Sequence, residues 1–306
     1  MRVVFMGTPA FAVPSLESLA AHHDVVLVVT QPDAPSGRGS VLRQPEVKVA
    51  AIALGLEVYQ PATLRGEAAD RLRSVAPDII CVAAFGMLLP TDVLDVPAHG
   101  CVNVHASLLP RYRGAAPIQR AVLAGESVTG VSIMRMEAGL DTGPFARQVT
   151  VPINDRYVAE VEDDLARIGA GALLAVLEEI ESDEVAWVPQ DPALATYATK
   201  ITKDDVALVP EISTADAHAR VRAATRRAPA RACVGDRELT VVRAHPTDER
   251  IAPGGVCMAD GLPVLGFADG SLALEVVRPA GKGDMRGADW ARGAHLSEGT
   301  CWRCTR

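Results

Sequence analysis

In the stretch NVHASLLPRYRGAAPIQRA (residues 103–121) an asparagine and a histidine stand two residues apart. The residues around them, GCVNVHA (100–106), read as a strand, and strand side chains alternate between faces. Asn103 and His105 therefore share one face, with Val102 and Val104 on the other. A carboxamide donates hydrogen bonds without changing charge, and an imidazole takes or gives a proton near neutral pH. Together they suit a carbonyl that becomes a tetrahedral oxyanion while an amine attacks it. Pro110 and Gly114 then end the strand, leaving a loop that can present backbone groups to a ligand. Further on, Asp141 sits in GLDTGP (139–144), a turn held by Gly139, Gly143 and Pro144. A carboxylate brought against His105 would orient its ring. Taken singly, N-x-H on a strand is an ordinary structural pairing and Asp141 an ordinary turn aspartate. Only the combination points to chemistry.

The elements that must position these residues alternate along the first 150 positions. RVVFMG is a strand, Ala10–Ala20 a helix, and DVVLVVTQ (24–31) a strand apolar on both faces. Pro45–Leu54 and Gly66–Val75 read as helices, and LEVYQ, DIICVAAF (78–85) and GCVNVHA as strands. TGVSIMRM and FARQVTVPI flank the Asp141 loop as two later strands. Apolar residues at 158, 161, 165, 168, 172, 173, 176 and 177 mark an amphipathic helix ending near Ile180. This alternation predicts an α/β fold with a doubly wound, mostly parallel, Rossmann-like sheet. In a sheet of this kind ligands bind at the carboxyl ends of the strands, where Asn103 and His105 fall. Pro189–Asp205 carries prolines and charge with little periodicity and reads as a linker. After a helix at Thr214–Thr225, the short runs ELTVVRA, GGVCMAD, GLPVLGFAD and SLALEVVRPAG predict a small β-barrel or sandwich. The expected domains are 1–188, a linker at 189–205, and 206–306.

Composition narrows the function classes. The 306 residues are 49% hydrophobic, enough for a large core, and no run of 18 apolar residues occurs, so no membrane partner is expected. The N-terminal MRVVFMGTPAF reads as a first strand and its turn rather than as a leader peptide. The net charge of −8 argues against a generally basic nucleic-acid binder. The charge is uneven, however: residues 200–306 hold 16 basic against 14 acidic residues, and the preceding part holds 14 against 24. No GxGxxG, GxxxxGK[ST] or GxSxG motif is present, so nucleotide-cofactor, nucleotide-triphosphate and nucleophile-elbow readings lack their signatures. Cys301 and Cys304 form a lone CxxC without the second pair that a structural zinc site needs. A cytoplasmic protein with reduced thiols and no metal is expected.

NVHASLLPRYRGAAPIQRA, followed by GVSIMRMEAGLDTGP, closely resembles the methionyl-tRNA formyltransferase family. TQPDAPSGRG (30–39), FGMLLP (85–90) and ATYATKIT (195–202) match that family in order and spacing, and RPAGKGDMRGADWARG extends the match more weakly. The resemblance implies transfer of formyl from 10-formyltetrahydrofolate to the α-amine of methionyl initiator tRNA. Asn103 and His105 would bind the formyl oxygen, and Asp141 would hold His105 and help move the amine proton. Direct attack needs no covalent enzyme intermediate and no metal. Ser107, Leu108, Leu109 and Pro110, with Phe85, Gly86 and Met87, would line the folate pocket. The loop Gln31–Val47, too broken for a helix or strand, would reach tRNA through Arg38 and Arg43. Lys200 and Lys203, with Arg226, Arg227 and Arg231, would contact tRNA from an OB-like C-terminal barrel. A monomer is expected. The rival readings are a formyltransferase acting on an amino-sugar nucleotide, a 10-formyltetrahydrofolate hydrolase, and an RNA-binding protein with a vestigial formyl site.

Overall fold

The computed structural model describes residues 1–36, 41–296 and 299–305. They form two compact units, one of Met1–Ile118, Ser127–Pro152 and Ala159–Thr199, the other of Gln119–Glu126, Ile153–Val158 and Lys200–Arg306. Strands and helices alternate from the start. In chain order they are β1 (Arg2–Gly7), α1 (Val13–His22), β2 (Asp24–Val29), β3 (Ala34–Ser36), β4 (Val41–Arg43), α2 (Glu46–Ala53), β5 (Val58–Tyr59), α3 (Glu67–Ser74) and β6 (Ile79–Ala83). Then follow α4 (Thr91–Leu94), β7 (Cys101–His105), β8 (Arg113–Gly114), α5 (Pro117–Leu123), β9 (Val128–Arg135), β10 (Phe145–Pro152), α6 (Val158–Glu181) and β11 (Tyr197–Ala198).

Seven strands of the first unit make one sheet in the order β10-β9-β7-β6-β1-β2-β5. The strands β5, β2, β1, β6 and β7 run parallel, while β9 and β10 are antiparallel additions at one edge. The chain steps from β1 through β2 to β5, then returns to the other side of β1 with β6 and β7. That reversal puts a switch point between β1 and β6, at whose carboxyl ends a ligand crevice is expected. Strands covered on both faces are apolar throughout, as the fully buried IICVA of β6 illustrates. On the face that Cys101 shares with Asn103 and His105, Cys101 joins a core with Val4, Met6, Leu27, Val29, Ile80 and Val82. On the opposite face Gly169 of α6 lies so close to β7 that an added Cβ would meet Val104 Cγ1 at 2.8 Å. A glycine there lets the long helix settle on the strand that ends in His105.

The loop Gln31–Val47 departs from expectation. Ala34–Ser36 pairs antiparallel with Val41–Arg43, so its described part is a short hairpin. Its prolines do not prevent pairing, because a two-stranded ribbon is all edge and an edge strand tolerates a missing donor. At its base Lys48 Nζ lies 2.8 Å from both carboxylate oxygens of Asp33, and Gln60 Nε2 donates to Asp33 Oδ1 and to the Gln31 carbonyl, each at 2.8 Å. The bonds from Lys48 and Gln60 hold the Asp33 carboxyl below its ordinary range. Arg38 lies outside the described residues.

The second unit carries α7 (Thr214–Ala223), β12 (Arg231–Val234), β13 (Arg237–Thr247), β14 (Val256–Ala259), β15 (Leu262–Gly266), β16 (Ser271–Pro279), β17 (Met285–Arg286), α8 (Gly287–Ala294) and β18 (Trp302–Arg303). Ser213 caps α7 by accepting the Asp216 N–H at 3.0 Å. The sheet order is β14-β15-β16-β13-β12-β18, antiparallel throughout. Its two ends touch: Gly255 bridges Cys301, and the Trp302 N–H donates to the Gly254 carbonyl at 2.7 Å. The result is a curled sheet, a small barrel as the run of short strands predicts, and OB-like as the resemblance implies. Trp302 also anchors the interior, with its ring 4.9 Å from that of Phe267 and its Nε1 donating to the Gly266 carbonyl at 3.0 Å. Arg120 forks onto Asp205 at 2.8 and 3.0 Å, and with bonds from Thr202 this pulls the Asp205 carboxyl down to about 2. Among the described residues no helix is long and apolar enough to cross a membrane.

Candidate active site

His105 closes β7, opposite Ser132 of β9, and Asn103 lies between Val82 of β6 and Met134 of β9. The His105 side chain is only 6% exposed. Its Nε2 is 3.0 Å from the carbonyl oxygen of Tyr112. A carbonyl can only accept, so Nε2 carries the proton in the neutral ring and Nδ1 is left basic. Nδ1 faces Asp141 Oδ2 at 3.7 Å, beyond hydrogen-bond range but close enough for an ion pair once Nδ1 gains a proton. Asn103 is half-buried, and among the described residues its carboxamide takes no hydrogen bond. The structure thus brings together the three residues singled out for carbonyl chemistry.

Backbone geometry sets the ring and the carboxylate. Tyr112 has φ 59°, an uncommon conformation for a bulky residue that persists only where the surroundings over-determine it. Here its N–H donates to Thr196 Oγ1 at 2.8 Å while its carbonyl accepts from His105. Asp141 is also left-handed, at φ 52°, and its Oδ2 accepts the Gly114 N–H at 2.8 Å. Gly114 has φ 118°, and a Cβ on it would come 2.8 Å from the Ala198 carbonyl oxygen, so the glycine of RYRG is required.

The loop after His105 is tied to the neighbouring strands. Ser132 is fully buried; its Oγ donates to the Ser107 carbonyl at 2.6 Å and accepts the Leu109 N–H at 3.0 Å. Gln148 Nε2 donates to Ser132 Oγ at 2.9 Å and to the Leu109 carbonyl at 2.8 Å. Neither residue is singled out by the sequence reading, although a serine inside the apolar run GVSIM is a usable signal, because a buried hydroxyl needs partners. Gln190 is also missed, and Thr196 enters the sequence reading only inside ATYATKIT, with no role assigned.

The segments expected at the folate pocket lie at the adjacent ends of β6 and β7. Gly86, Met87, Leu108 and Pro110 keep exposed surface. Phe85, Ser107 and Leu109 are buried. Ser107 Oγ is spent on the Arg111 carbonyl at 2.6 Å, and the Phe85 carbonyl accepts from Thr8 Oγ1 at 2.9 Å and Gln31 Nε2 at 3.0 Å. Of the residues expected at tRNA, Arg43 is exposed and paired with Glu46. Lys200, Lys203, Arg226, Arg227 and Arg231 are exposed on the second unit.

Comparison with known proteins bears on the family of the chain. Residues 1–177 match the family model described as formyl transferase, and residues 200–295 match its C-terminal domain. A methionyl-tRNA formyltransferase of Thiobacillus denitrificans is 46% identical over 309 residues, covering 98% of this chain and 99% of that protein. Another from Halorhodospira halophila is 44% identical over 310 residues, covering 97% and 98%. In fold, the chain is similar to an N-formyltransferase of Helicobacter canadensis solved with folinic acid and dTDP-3-aminofucose, at TM-score 0.69 and 17% identity, over 90% of this chain and 98% of that one. Two matched domains, near-full-length relatives above 40% identity and an N-x-H…D constellation at the carboxyl edge of the sheet lead to one conclusion: this chain belongs to the methionyl-tRNA formyltransferase family.

Proposed function

We propose that the protein transfers the formyl group of 10-formyltetrahydrofolate to the α-amine of methionyl initiator tRNA, in the cytoplasm and as a monomer. The observation that carries this reading is the approach of Asp141 Oδ2 to His105 Nδ1 beside an uncommitted Asn103 carboxamide. The amine nitrogen attacks the formyl carbon, and the C=O electron pair moves onto oxygen. Asn103 donates to that oxygen, in a setting where a fixed donor needs no reorganisation as charge develops. His105 accepts the amine proton at Nδ1, Asp141 pairs with the imidazolium, and the ring returns the proton to the departing folate nitrogen as the old C–N bond breaks. Carbon, charge and proton balance without a covalent enzyme intermediate.

Leu108, Pro110, Gly86 and Met87 offer apolar surface and backbone groups next to this centre, which suits a flat, polar-edged pteridine. Arg38 and Arg43, within the sequence stretch Gln31–Val47, and Lys200 and Lys203 on the second unit are proposed to meet tRNA phosphates, as positioning contacts rather than base readers. The domain reading 1–188, 189–205 and 206–306 is kept as the functional division.

The test is formyl transfer to charged initiator tRNA beside charged elongator tRNA and an amino-sugar nucleotide. Strong preference for the initiator is expected. Equal or better transfer to the sugar, release of free formate alone, or tRNA binding without any transfer would each favour one of the rival readings.

A further inference from the structure

The segment 188–198 follows α6 and has no helical or strand periodicity. Its hydrogen bonds nevertheless converge on the residues that set His105 and Asp141. Val188 and Phe145 exchange backbone hydrogen bonds at 3.1 and 2.8 Å, which fixes the start of the segment beside the Asp141 loop. Two residues later, Gln190 Nε2 donates to the carbonyls of Asp141 and Gly143, at 2.8 and 2.6 Å. Gln190 Oε1 accepts from Arg113 Nε and Nη2, at 3.0 and 2.7 Å. The amide orientation is dictated by its partners, since carbonyls face one end and guanidinium N–H groups the other. Arg113 is itself 5% exposed, so its fork is held in place.

A second set of bonds runs to the histidine. Thr196 Oγ1 accepts the Tyr112 N–H, the Arg113 N–H donates to the Thr196 carbonyl at 2.8 Å, and the Ala115 N–H donates to the Ala198 carbonyl at 2.9 Å. Tyr112 in turn presents the carbonyl that takes His105 Nε2. The two left-handed non-glycine residues that set the ring and the carboxylate, Tyr112 and Asp141, are thus each tied to this one segment. Backbone in that region is retained where its surroundings enforce it, and here the enforcing groups are Thr196 and Gln190.

We infer that Gln190 and Thr196 are positioning residues for formyl transfer: Gln190 sets the Asp141 carboxylate, and Thr196, through Tyr112, sets the His105 ring. This rests on the function proposed above. Loss of either brace displaces one partner of the His105–Asp141 approach without removing a group that touches substrate. A small displacement of that kind acts on the rate of the chemical step rather than on substrate binding.

The test uses the full chain with Gln190→Glu, which keeps the Arg113 contact and loses both N–H donors, and Thr196→Val, which loses only the hydroxyl. Thr196→Ser serves as the rescue. Single-turnover transfer to charged initiator tRNA, KM for both substrates, and the imidazole NMR resonances of His105 are measured. We expect kcat to fall about 10–100-fold in the first two variants, with KM little changed and Thr196→Ser near wild type. The His105 Nε2 resonance should move in Thr196→Val. Unchanged kcat in both variants overturns the inference, as does a loss that merely follows the folded fraction. If Gln190→Glu fails to fold, Arg113→Lys takes its place: removing the fork from Gln190 Oε1 should lower kcat with KM held, and wild-type kcat overturns the role of Gln190. If the wild-type protein transfers no formyl group, the proposed function fails. The imidazole spectrum then decides the brace alone: a shift in Thr196→Val supports it, and an unmoved resonance overturns it.

Discussion

At the carboxyl edge of the first unit, several polar side chains are buried and hydrogen-bonded. His105, Ser107, Arg113 and Ser132 are each less than a tenth exposed, and each has named hydrogen-bond partners. The barrel of the second unit is built otherwise. Phe267, Leu239, Val241, Leu274 and Trp302 lead its interior, and the indole N–H of Trp302 is satisfied by backbone. The contrast separates two demands on sequence. Chemistry needs particular groups at particular backbone sites, so one substitution removes function while the fold survives. A barrel needs apolar alternation and closure, which many sequences supply, so a single change costs stability in proportion to what it buried.

The contrast breaks most sharply at His105. His105→Ala should lower single-turnover formyl transfer about 1,000-fold or more while circular dichroism stays that of the wild type, because proton transfer by a positioned residue and pairing with Asp141 are both lost. Asn103→Ala should cost on the order of 100–1,000-fold in kcat, the usual loss for one oxyanion donor. In the barrel, Trp302→Ala should leave those residues in place but destabilise the second unit by about 3–5 kcal/mol, read as an earlier denaturant transition. An unshifted transition would mean that the sheet does not depend on β18 for closure. Arg38→Ala should weaken use of tRNA more than folate binding and lower the slope of log K against log salt by about one. Equal loss of both would remove the proposed role of Arg38. The smallest effect concerns acid. The Asp205 carboxyl lies near 2 in the fold against an ordinary 3.8, so its contribution is complete above about pH 4 and disappears as pH falls toward 2. Asp205→Asn should flatten that part of the pH–stability curve of the second unit.

Much of the first unit was legible in the residues. Two-face-buried strands such as DVVLVV and IICVA announce a parallel sheet, and N-x-H at the end of such a strand, followed by breakers, announces a site. The pairing of Ala34–Ser36 with Val41–Arg43 is not legible, because Pro35 suggests a broken loop, yet an isolated ribbon tolerates it. The roles of Gln190 and Thr196 were illegible for a different reason. They act through backbone carbonyls and N–H groups of distant residues, and those contacts leave no spacing pattern in the chain. In the second unit the strands were readable by alternation, but closure was not. It depends on Trp302 in the tail, beyond the 200–295 match, where CWRC reads as a lone cysteine pair and not as a strand.

The most direct measurement is the formylation rate of charged initiator tRNA by the wild-type protein and by Asp141→Asn, with equal folding verified for both. The carboxylate that faces His105 Nδ1 at 3.7 Å is the only group the variant alters, and its shape is kept. Rapid transfer by the wild type and a loss of about 100-fold or more in the variant are predicted. Wild-type rates in Asp141→Asn would contradict the account, because the imidazolium formed at His105 would then need no partner.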